Sequence, residues 1–209
     1  MLTSEMSKIL KPFGPPIYKD MISGEFHQFL LDAAEVARRD SVNVGSSLAG
    51  NIENQLELPV DPNGFISFIY PHIEKYVRET GEDLMYTKPF TDITFSLDRG
   101  PWINFQHKNE FNPIHSHSGM FSGVIMVDIP DEIAVEKTPI TNMPCPGMLE
   151  FVHGGEGMNY NGSHKVTPRT ADIYLFPATL RHTVYPFTSD VERVTVSLNV
   201  HNIEFIYEE

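Results

Sequence analysis

The second half of the chain is built from short runs of β-branched and aromatic residues that are separated by Gly, Pro, Asn and Asp. Runs of this kind are typical of β-strands joined by turns, and they continue from about residue 90 to the C-terminus. The clearest runs lie at residues 93–97, 102–105, 121–129, 148–152, 173–176 and 191–200. The pattern predicts a mainly β fold of the α+β class, in the form of a sandwich or a barrel.

The first part of the chain carries two helical patterns. Over residues 23–39 the apolar residues recur with the spacing of one helix face, and Ser23 is a suitable N-cap. A second amphipathic pattern begins after the turn-like sequence Asp61-Pro62-Asn63-Gly64 and ends at Gly81, with Pro71 either kinking this helix or marking its true start. We therefore expect two helices in this part of the molecule.

The stretch between the two predicted helices, residues 41–59, is rich in Ser, Gly and Asn and predicts a loop. A length of 209 residues suits one domain. We expect this domain to span residues 1–209, with a helical N-terminal part, 1–84, packed on one side of a β core, 85–203.

Charge and cysteine content exclude several classes of protein. Fifteen Lys and Arg against 28 Asp and Glu give a net charge of −13, which argues against nucleic acid or anionic membrane partners. Cys145 is the single cysteine, so the chain forms no internal disulfide and suits a reducing compartment, and without a partner base we expect its thiol to be inert. With no signal-like or membrane-spanning apolar run visible, we expect a cytoplasmic protein.

Two histidines lie two residues apart in the segment His115-Ser116-His117. Side chains at this spacing point to the same side of an extended chain, so the two imidazoles can converge on one metal ion. Imidazole suits zinc, iron, copper and nickel. The alternative is a pair of solvated or hydrogen-bonded strand histidines, and a third ligand is needed to decide between them.

His182 is the candidate third ligand, since it follows a predicted strand and turn 65 residues after His117. The strand that comes next places Arg193 and Thr195 on one face, in strict alternation with apolar residues on the other. The polar face either meets water or lines the interior of a barrel. In the second case Arg193 becomes a fixed cation suited to binding a carboxylate, with Thr195 as an additional donor.

These residues, in this order and spacing, resemble the 2-oxoglutarate and Fe(II)-dependent dioxygenases, in particular the prolyl-hydroxylase-like branch found in bacteria and phages. The family has a His-x-Asp/Glu motif, a distal His and an Arg about ten residues later, and here Arg193 follows His182 by 11 residues. The resemblance extends over residues 85–203 and includes Trp102-Ile103-Asn104, Ser122-Gly123-Val124 and Phe176-Pro177.

The resemblance implies a double-stranded β-helix, the cupin-like jelly-roll barrel, holding Fe(II) and 2-oxoglutarate. It implies that His115 and His182 bind the metal, that Arg193 pairs with the distal carboxylate of 2-oxoglutarate and that Thr195 assists it. Asn104 and Ser122 are expected to line the pocket. The implied chemistry uses O2 to convert 2-oxoglutarate to succinate and CO2 while a substrate C–H bond is hydroxylated.

One position departs from the family pattern, because His117 stands where the usual triad has a carboxylate. We expect a site of three histidines, in which substrate or 2-oxoglutarate supplies the negative charge. The alternative is that His117 faces solvent or substrate and that a water takes its coordination position.

Other functions of a jelly roll remain open, because fold alone does not decide chemistry. One alternative is a cupin-like three-histidine metalloenzyme that does not use 2-oxoglutarate, and another is a non-enzymatic binding module. The prime substrate, whether a protein side chain such as proline or a small molecule, is not readable, and a homodimer is compatible with the sequence. Residues 139–168 are either a mobile rim or a hairpin with a surface loop, and His153 and His164 are candidate substrate contacts.

Overall fold

Twelve strands and three α-helices make up the regions that the computed structural model describes, namely residues 7–81, 89–136, 145–155, 157 and 161–208. The strands are β1 Lys8–Leu10, β2 Ile17–Met21, β3 Asn54–Glu57, β4 Asp92–Leu97, β5 Trp102–Gln106, β6 Asn112–His115, β7 Phe121–Asp128, β8 Leu149–Val152, β9 Ser163–Val166, β10 Asp172–Pro177, β11 Arg181–Val184 and β12 Arg193–Ile206. The helices are α1 Gly24–Asp40, α2 Pro62–Thr80 and α3 Asp131–Ala134, with a 3₁₀ turn at Gly45–Ser47. The fold is mainly β, as predicted.

The two long helices confirm the helical patterns of the sequence. The Ser23 side chain accepts a hydrogen bond from the Phe26 amide, and the Asp61 side chain caps α2 through the Gly64 amide. Pro71 lies inside α2, which runs on to Thr80, so it does not mark the start of the helix. Among the described residues, no helix is both long enough and apolar enough to cross a membrane.

The sequence analysis missed three strands before residue 60. Strands β1 and β2 pair with each other, and β2 also pairs with β10, so the N-terminal part is not purely helical. The predicted loop over 41–59 contains β3, which pairs with β5 at the edge of the large sheet. Its sequence, Asn-Gln-Leu-Glu, has little intrinsic strand preference, and the neighbouring strand supplies its hydrogen bonds.

Two antiparallel sheets face each other. The larger has the order β1-β2-β10-β7-β12-β5-β3, with β4 also paired to β12, and the smaller has the order β6-β11-β8-β9. The described residues form two separate sheets and no closed barrel, so the predicted jelly roll is matched only as far as two antiparallel layers. In the candidate rim, β8 and β9 form a hairpin, and residues 137–144, 156 and 158–160 lie outside the described part of the chain.

The large sheet, with β12 near its centre, separates two core clusters. The apolar residues Val194, Val196, Leu198 and Val200 of β12 pack with α1 and α2 in one core cluster. A second cluster joins the other face of the large sheet to the smaller sheet, through residues such as Met126 and Phe151. The polar residues of β12 therefore point between the two sheets, away from the helices. The sequence left open whether this polar face meets water or lines an interior, and in the structure it lines the interior.

We expect Phe26→Ala to lower the free energy of unfolding by about 3–5 kcal/mol, the usual cost of removing a buried aromatic ring. The Phe26 ring is 1% exposed and stacks on Phe68, with 4.8 Å between ring centroids. Urea denaturation of the two proteins measures the change. Val36→Ala on the half-exposed side of the same helix is the matched control and should change stability by less than about 0.5 kcal/mol. Equal losses in both variants would contradict the packing described here.

Candidate active site

Three histidines from the smaller sheet and its adjoining loop converge at one point. His115 ends β6 and lies directly opposite His182 on β11, and His117 follows β6 in a loop. One potential ligand atom from each lies within 4.8 Å of the others. The His117 amide donates a 2.8 Å hydrogen bond to the Ala178 carbonyl, which holds the loop beside β11. The residues that the sequence singled out are thus adjacent, although His117 is not on the strand.

Backbone carbonyls fix the orientation of two of the rings. Nδ1 of His115 donates to the Pro113 carbonyl at 2.6 Å, and Nδ1 of His182 donates to the Leu180 carbonyl at 3.0 Å. A carbonyl only accepts, so these bonds place the proton on Nδ1 and leave Nε2 with its lone pair. This is the arrangement that orients histidines as metal ligands.

The three imidazoles are held in the neutral form that metal binding requires. Burial lowers the pKa of His182 to about 3, and protonation of His115 would oppose a second positive charge on His182. Burial also lowers the pKa of His117 to about 4 and shifts that of His115 downward. The edge of the Phe176 ring lies against His182, at 4.8 Å between centroids, and contributes to this desolvation.

Arg193 is a buried cation in the same pocket, with 3% of its surface exposed. Nη1 donates to Gln106 Oε1 at 2.7 Å and Nη2 contacts Met126 Sδ at 3.5 Å, while Nε is buried and has no partner among the described residues. Burial lowers the pKa of Arg193 to about 10, so the group remains protonated at neutral pH. No Asp or Glu is among the described residues that line the pocket. A buried charge in this state calls for an anionic partner.

Polar side chains cover the wall of the pocket between Arg193 and the histidines. Thr195, Asn104 and Ser122 are all buried and line the pocket. Asn104 Nδ2 donates to Thr195 Oγ1 at 3.3 Å, and Ser122 Oγ donates to Asn199 Oδ1 at 2.8 Å. The hydroxyl of Ser122 is therefore already occupied by Asn199.

A second cleft, of about 330 Å³, also reaches His117. It shares three residues with the first pocket, namely Trp102, His117 and Asn199. Its remaining walls come from the segment 44–48, from Glu57, from the turn 98–101 and from Ser116 and Ser118. His117 thus borders both the pocket that contains Arg193 and this second cleft, which we call the outer cleft.

Sequence reasoning missed Gln106, Asn112 and Gln55 as parts of the site. Gln106 bonds to Arg193, and Asn112 lines the pocket with a buried Oδ1 that has no partner. The alternation of Trp102, Asn104 and Gln106 along β5 was a usable signal for Gln106. Gln55, which bonds to Asn104, gave none, since it fell in the predicted loop.

The candidate substrate contacts and the cysteine lie away from the histidine cluster. His153 stacks on Phe13 and borders a separate surface pocket. His164 is on β9, opposite Phe151, and its buried Nε2 has no partner. Cys145 is a free, half-buried thiol. None of the three is among the described residues that line the two cavities at the histidines.

Comparison with known proteins gives one family and several similar folds. Residues 100–199 match the family model described as "Putative 2OG-Fe(II) oxygenase". The search of curated protein sequences found no match. A Pseudomonas putida prolyl-4-hydroxylase has a similar fold, with a TM-score of 0.52 at 11% identity over 92% of this chain and 93% of that chain.

Two further solved structures have similar folds. A Trichoplax adhaerens prolyl hydroxylase, in complex with a hypoxia inducible factor peptide fragment, has a TM-score of 0.55 at 13% identity over 90% of this chain and 83% of that chain. HygX from Streptomyces hygroscopicus, with nickel, 2-oxoglutarate and hygromycin B bound, has a TM-score of 0.50 at 9% identity over 90% and 82%. The segment from residue 100 to 199, which carries the three histidines and Arg193, thus matches a family model of 2-oxoglutarate and Fe(II)-dependent oxygenases, in agreement with the resemblance noted in the sequence.

Proposed function

We propose that this protein is a 2-oxoglutarate-dependent dioxygenase that holds Fe(II) on His115, His117 and His182 and hydroxylates a substrate C–H bond. The observation that carries the proposal is the buried guanidinium of Arg193 in the pocket of the histidine cluster, with no carboxylate beside it in the described part of the chain. A neutral ligand would leave that charge uncompensated, whereas a dicarboxylate would pair with it.

The donor set suits a divalent ion of the iron, nickel or zinc class. Three neutral imidazoles add no negative charge, so the ion keeps its full double charge, and Arg193 adds one more. A dianion such as 2-oxoglutarate would neutralise most of this positive charge. This supports an anionic cosubstrate and accounts for a site that works without the carboxylate of the usual triad.

Arg193 and Thr195 are the groups that we assign to the distal carboxylate of 2-oxoglutarate. Arg193 offers a buried N–H that has no acceptor among the described residues, and Thr195 offers a hydroxyl on the same face two residues further along β12. Asn104 and Ser122 complete the wall of this pocket. Gln106 holds the guanidinium in place, because its amide oxygen accepts from Nη1 while its amide nitrogen donates to the Glu110 carbonyl.

The bound metal and cosubstrate supply the chemistry of the family, in which O2 converts 2-oxoglutarate to succinate and CO2 and a C–H bond is hydroxylated. The protein orients the two reactants and limits the entry of water. Phe176 and Leu149 give the pocket apolar walls, and neutral histidines with fixed ring orientation require no proton loss before binding the metal.

We assign the prime substrate to the outer cleft, because that cleft reaches His117 while Arg193 is not among the described residues that line it. Both kinds of substrate remain candidates, since one protein of similar fold was solved with a peptide fragment and another with hygromycin B. We also propose that the two facing sheets are the layers of a jelly roll, and that the protein works in the cytoplasm, where a reducing environment preserves Fe(II).

The second candidate function is that of a cupin-like three-histidine metalloenzyme that does not use 2-oxoglutarate. It is favoured by the ligand set itself, since His117 replaces the carboxylate of the usual triad. The two functions differ in their use of Arg193, which only the first requires as a cosubstrate contact.

Replacing one of the histidines should abolish metal binding. We expect His182→Ala to weaken the binding of Fe(II), or of Co(II) as an oxygen-stable probe, by about 100-fold or more, because one of three ligands is lost. Calorimetric titration under anaerobic conditions measures the affinity. His201→Ala, at an exposed position on β12, serves as the control and should bind the metal as the wild type does. Unchanged metal affinity in His182→Ala would rule out the triad.

The role of His117 is tested by two substitutions. If His117 is a ligand, His117→Ala weakens metal binding, whereas His117→Asp restores the family's usual ligand and retains the metal. If a water takes this position instead, His117→Ala binds the metal as tightly as the wild type. Competition with a coloured chelator, for both variants and the wild type, separates these results.

Arg193 should determine the affinity for the cosubstrate. We expect wild-type protein reconstituted anaerobically with Fe(II) to bind 2-oxoglutarate, and to release succinate slowly once O2 is admitted. Arg193→Gln should weaken 2-oxoglutarate binding about 10- to 100-fold, the usual value of hydrogen bonds to a charged group, while metal affinity is retained. Arg39→Gln, at an exposed position of α1, is the matched control. Normal 2-oxoglutarate binding by Arg193→Gln would favour the cupin-like alternative.

A further inference from the structure

A row of three buried polar side chains crosses the large sheet beside Arg193. Gln55 on β3 lies directly opposite Asn104 on β5, and Asn104 lies directly opposite Thr195 on β12. The exposed fractions of the three residues are 1%, 6% and 4%. Burying a polar group costs free energy unless the group forms a hydrogen bond. The direction of the hydrogen bonds in this row determines which atoms are paired and which remain available.

The hydrogen bonds of the row run in one direction, from the sheet edge towards the pocket. Gln55 Nε2 donates to Asn104 Oδ1 at 2.8 Å. Asn104 Nδ2 then donates to Thr195 Oγ1 at 3.3 Å and to Ser197 Oγ at 3.2 Å. Thr195 therefore acts as an acceptor within the row, and the described residues provide no acceptor for its own hydroxyl hydrogen. That hydrogen is available to a ligand in the pocket.

The orientation of Gln55 decides this direction. As the amide lies, its Oε1 is buried and finds no partner in the described part of the chain. The reverse orientation would instead bury an amide N–H without a partner, which proteins tolerate less often than an unpaired carbonyl oxygen. It would also turn Asn104, so that Oδ1 would face the two hydroxyls and take up their hydrogens. The pocket would then present fewer donors to an anion.

We propose that Gln55 is a positioning residue for the cosubstrate carboxylate, acting through Asn104 to keep the Thr195 hydroxyl hydrogen free for donation beside Arg193. This inference rests on the proposed function, in which 2-oxoglutarate occupies that pocket. Gln55 itself lies one strand beyond Asn104 and is not among the residues that line the pocket. Gln55 therefore determines which atoms of Asn104 and Thr195 donate and which accept, without contacting the ligand itself.

The surrounding backbone is shaped to hold the Gln55 side chain in this position. The Gln55 carbonyl accepts a 2.7 Å hydrogen bond from the Val44 amide, so the segment that follows α1 is tied to β3. A Cβ added at Gly50 would lie 2.8 Å from both amide heavy atoms of Gln55. Gly50 thus allows the chain to pass close over this amide, which leaves the side chain little room to turn away from Asn104.

The test is to replace Gln55 by residues that cannot donate, and to measure the dissociation constant of 2-oxoglutarate on the anaerobic Fe(II)-loaded protein. In Gln55→Glu the carboxylate only accepts, so Asn104 must turn its amide towards it and present Oδ1 to Thr195. We expect 2-oxoglutarate binding to weaken about tenfold, as for one lost hydrogen bond to a charged group, with metal affinity unchanged. Gln55→Met, which is uncharged and similar in length, should weaken binding to a smaller extent.

A double-mutant cycle separates this role from charge repulsion and from general structural damage. Thr195→Val removes the hydroxyl and keeps the shape, so the Gln55 substitutions should have little further effect in that background. A loss of equal size with and without Thr195→Val would overturn the inference, since the effect would then not pass through the hydroxyl. Gln28→Glu, at an exposed position of α1, is the matched control for the added charge.

The outcomes also distinguish this inference from the proposed function. If wild-type protein binds Fe(II) but no 2-oxoglutarate, the cosubstrate assignment itself fails. If the wild type binds 2-oxoglutarate and both Gln55 variants bind it equally well, only the role of Gln55 is wrong. Should Gln55→Glu fail to fold, which its metal affinity would reveal, the uncharged Gln55→Met variant decides the question in the same cycle.

Discussion

The pocket is arranged around the buried positive charge of Arg193. The guanidinium is almost fully buried, and its contacts are the neutral side chains of Gln106 and Met126. Burying a cation without a counter-ion costs several kcal/mol, a large part of the stability of a domain of this size. Packing of β12 offsets this cost. The strand lies near the centre of the large sheet, and its apolar face packs against the helices, which holds the polar face with Arg193 in place.

The histidine cluster depends on the smaller sheet in a comparable way. Strand pairing brings His115 opposite His182, and two backbone carbonyls orient their rings with Nε2 free. Formation of the sheet and its turns therefore already orients the ligands, before any metal binds. The two sheets place this cluster and Arg193 in one pocket, so that a charge at one end and a ligand set at the other face the same enclosed space.

The row from Gln55 to Thr195 links the edge of the large sheet to this pocket. Hydrogen bonds in a buried row are directional, and a donor at the outer end determines which atoms remain available at the inner end. Strand β3 thereby affects the chemistry of the pocket although it lies two strands from Arg193. The solved structures of similar fold are only 9–13% identical to this chain, so the fold does not require close sequence identity.

Local pattern in the sequence was enough to predict α1, α2 and most strands of the β half, because helical and strand periodicities act over a few residues. It also singled out His115, His117, His182 and Arg193 through their spacing. It could not predict β1 to β3, which are short, and of which β2 and β3 pair with strands far away in the chain, nor Gln55, whose partner Asn104 is 49 residues away.

The sequence by itself therefore determined which residue types were available and which face of β12 was polar. Only the tertiary structure decided that this face is enclosed between two sheets, that one potential ligand atom from each of three histidines lies within 4.8 Å of the others and that no described carboxylate lines the pocket of Arg193. The physical reason is that burial, pairing and hydrogen-bond direction depend on segments distant in sequence, and these properties turn an arginine and three histidines into a site.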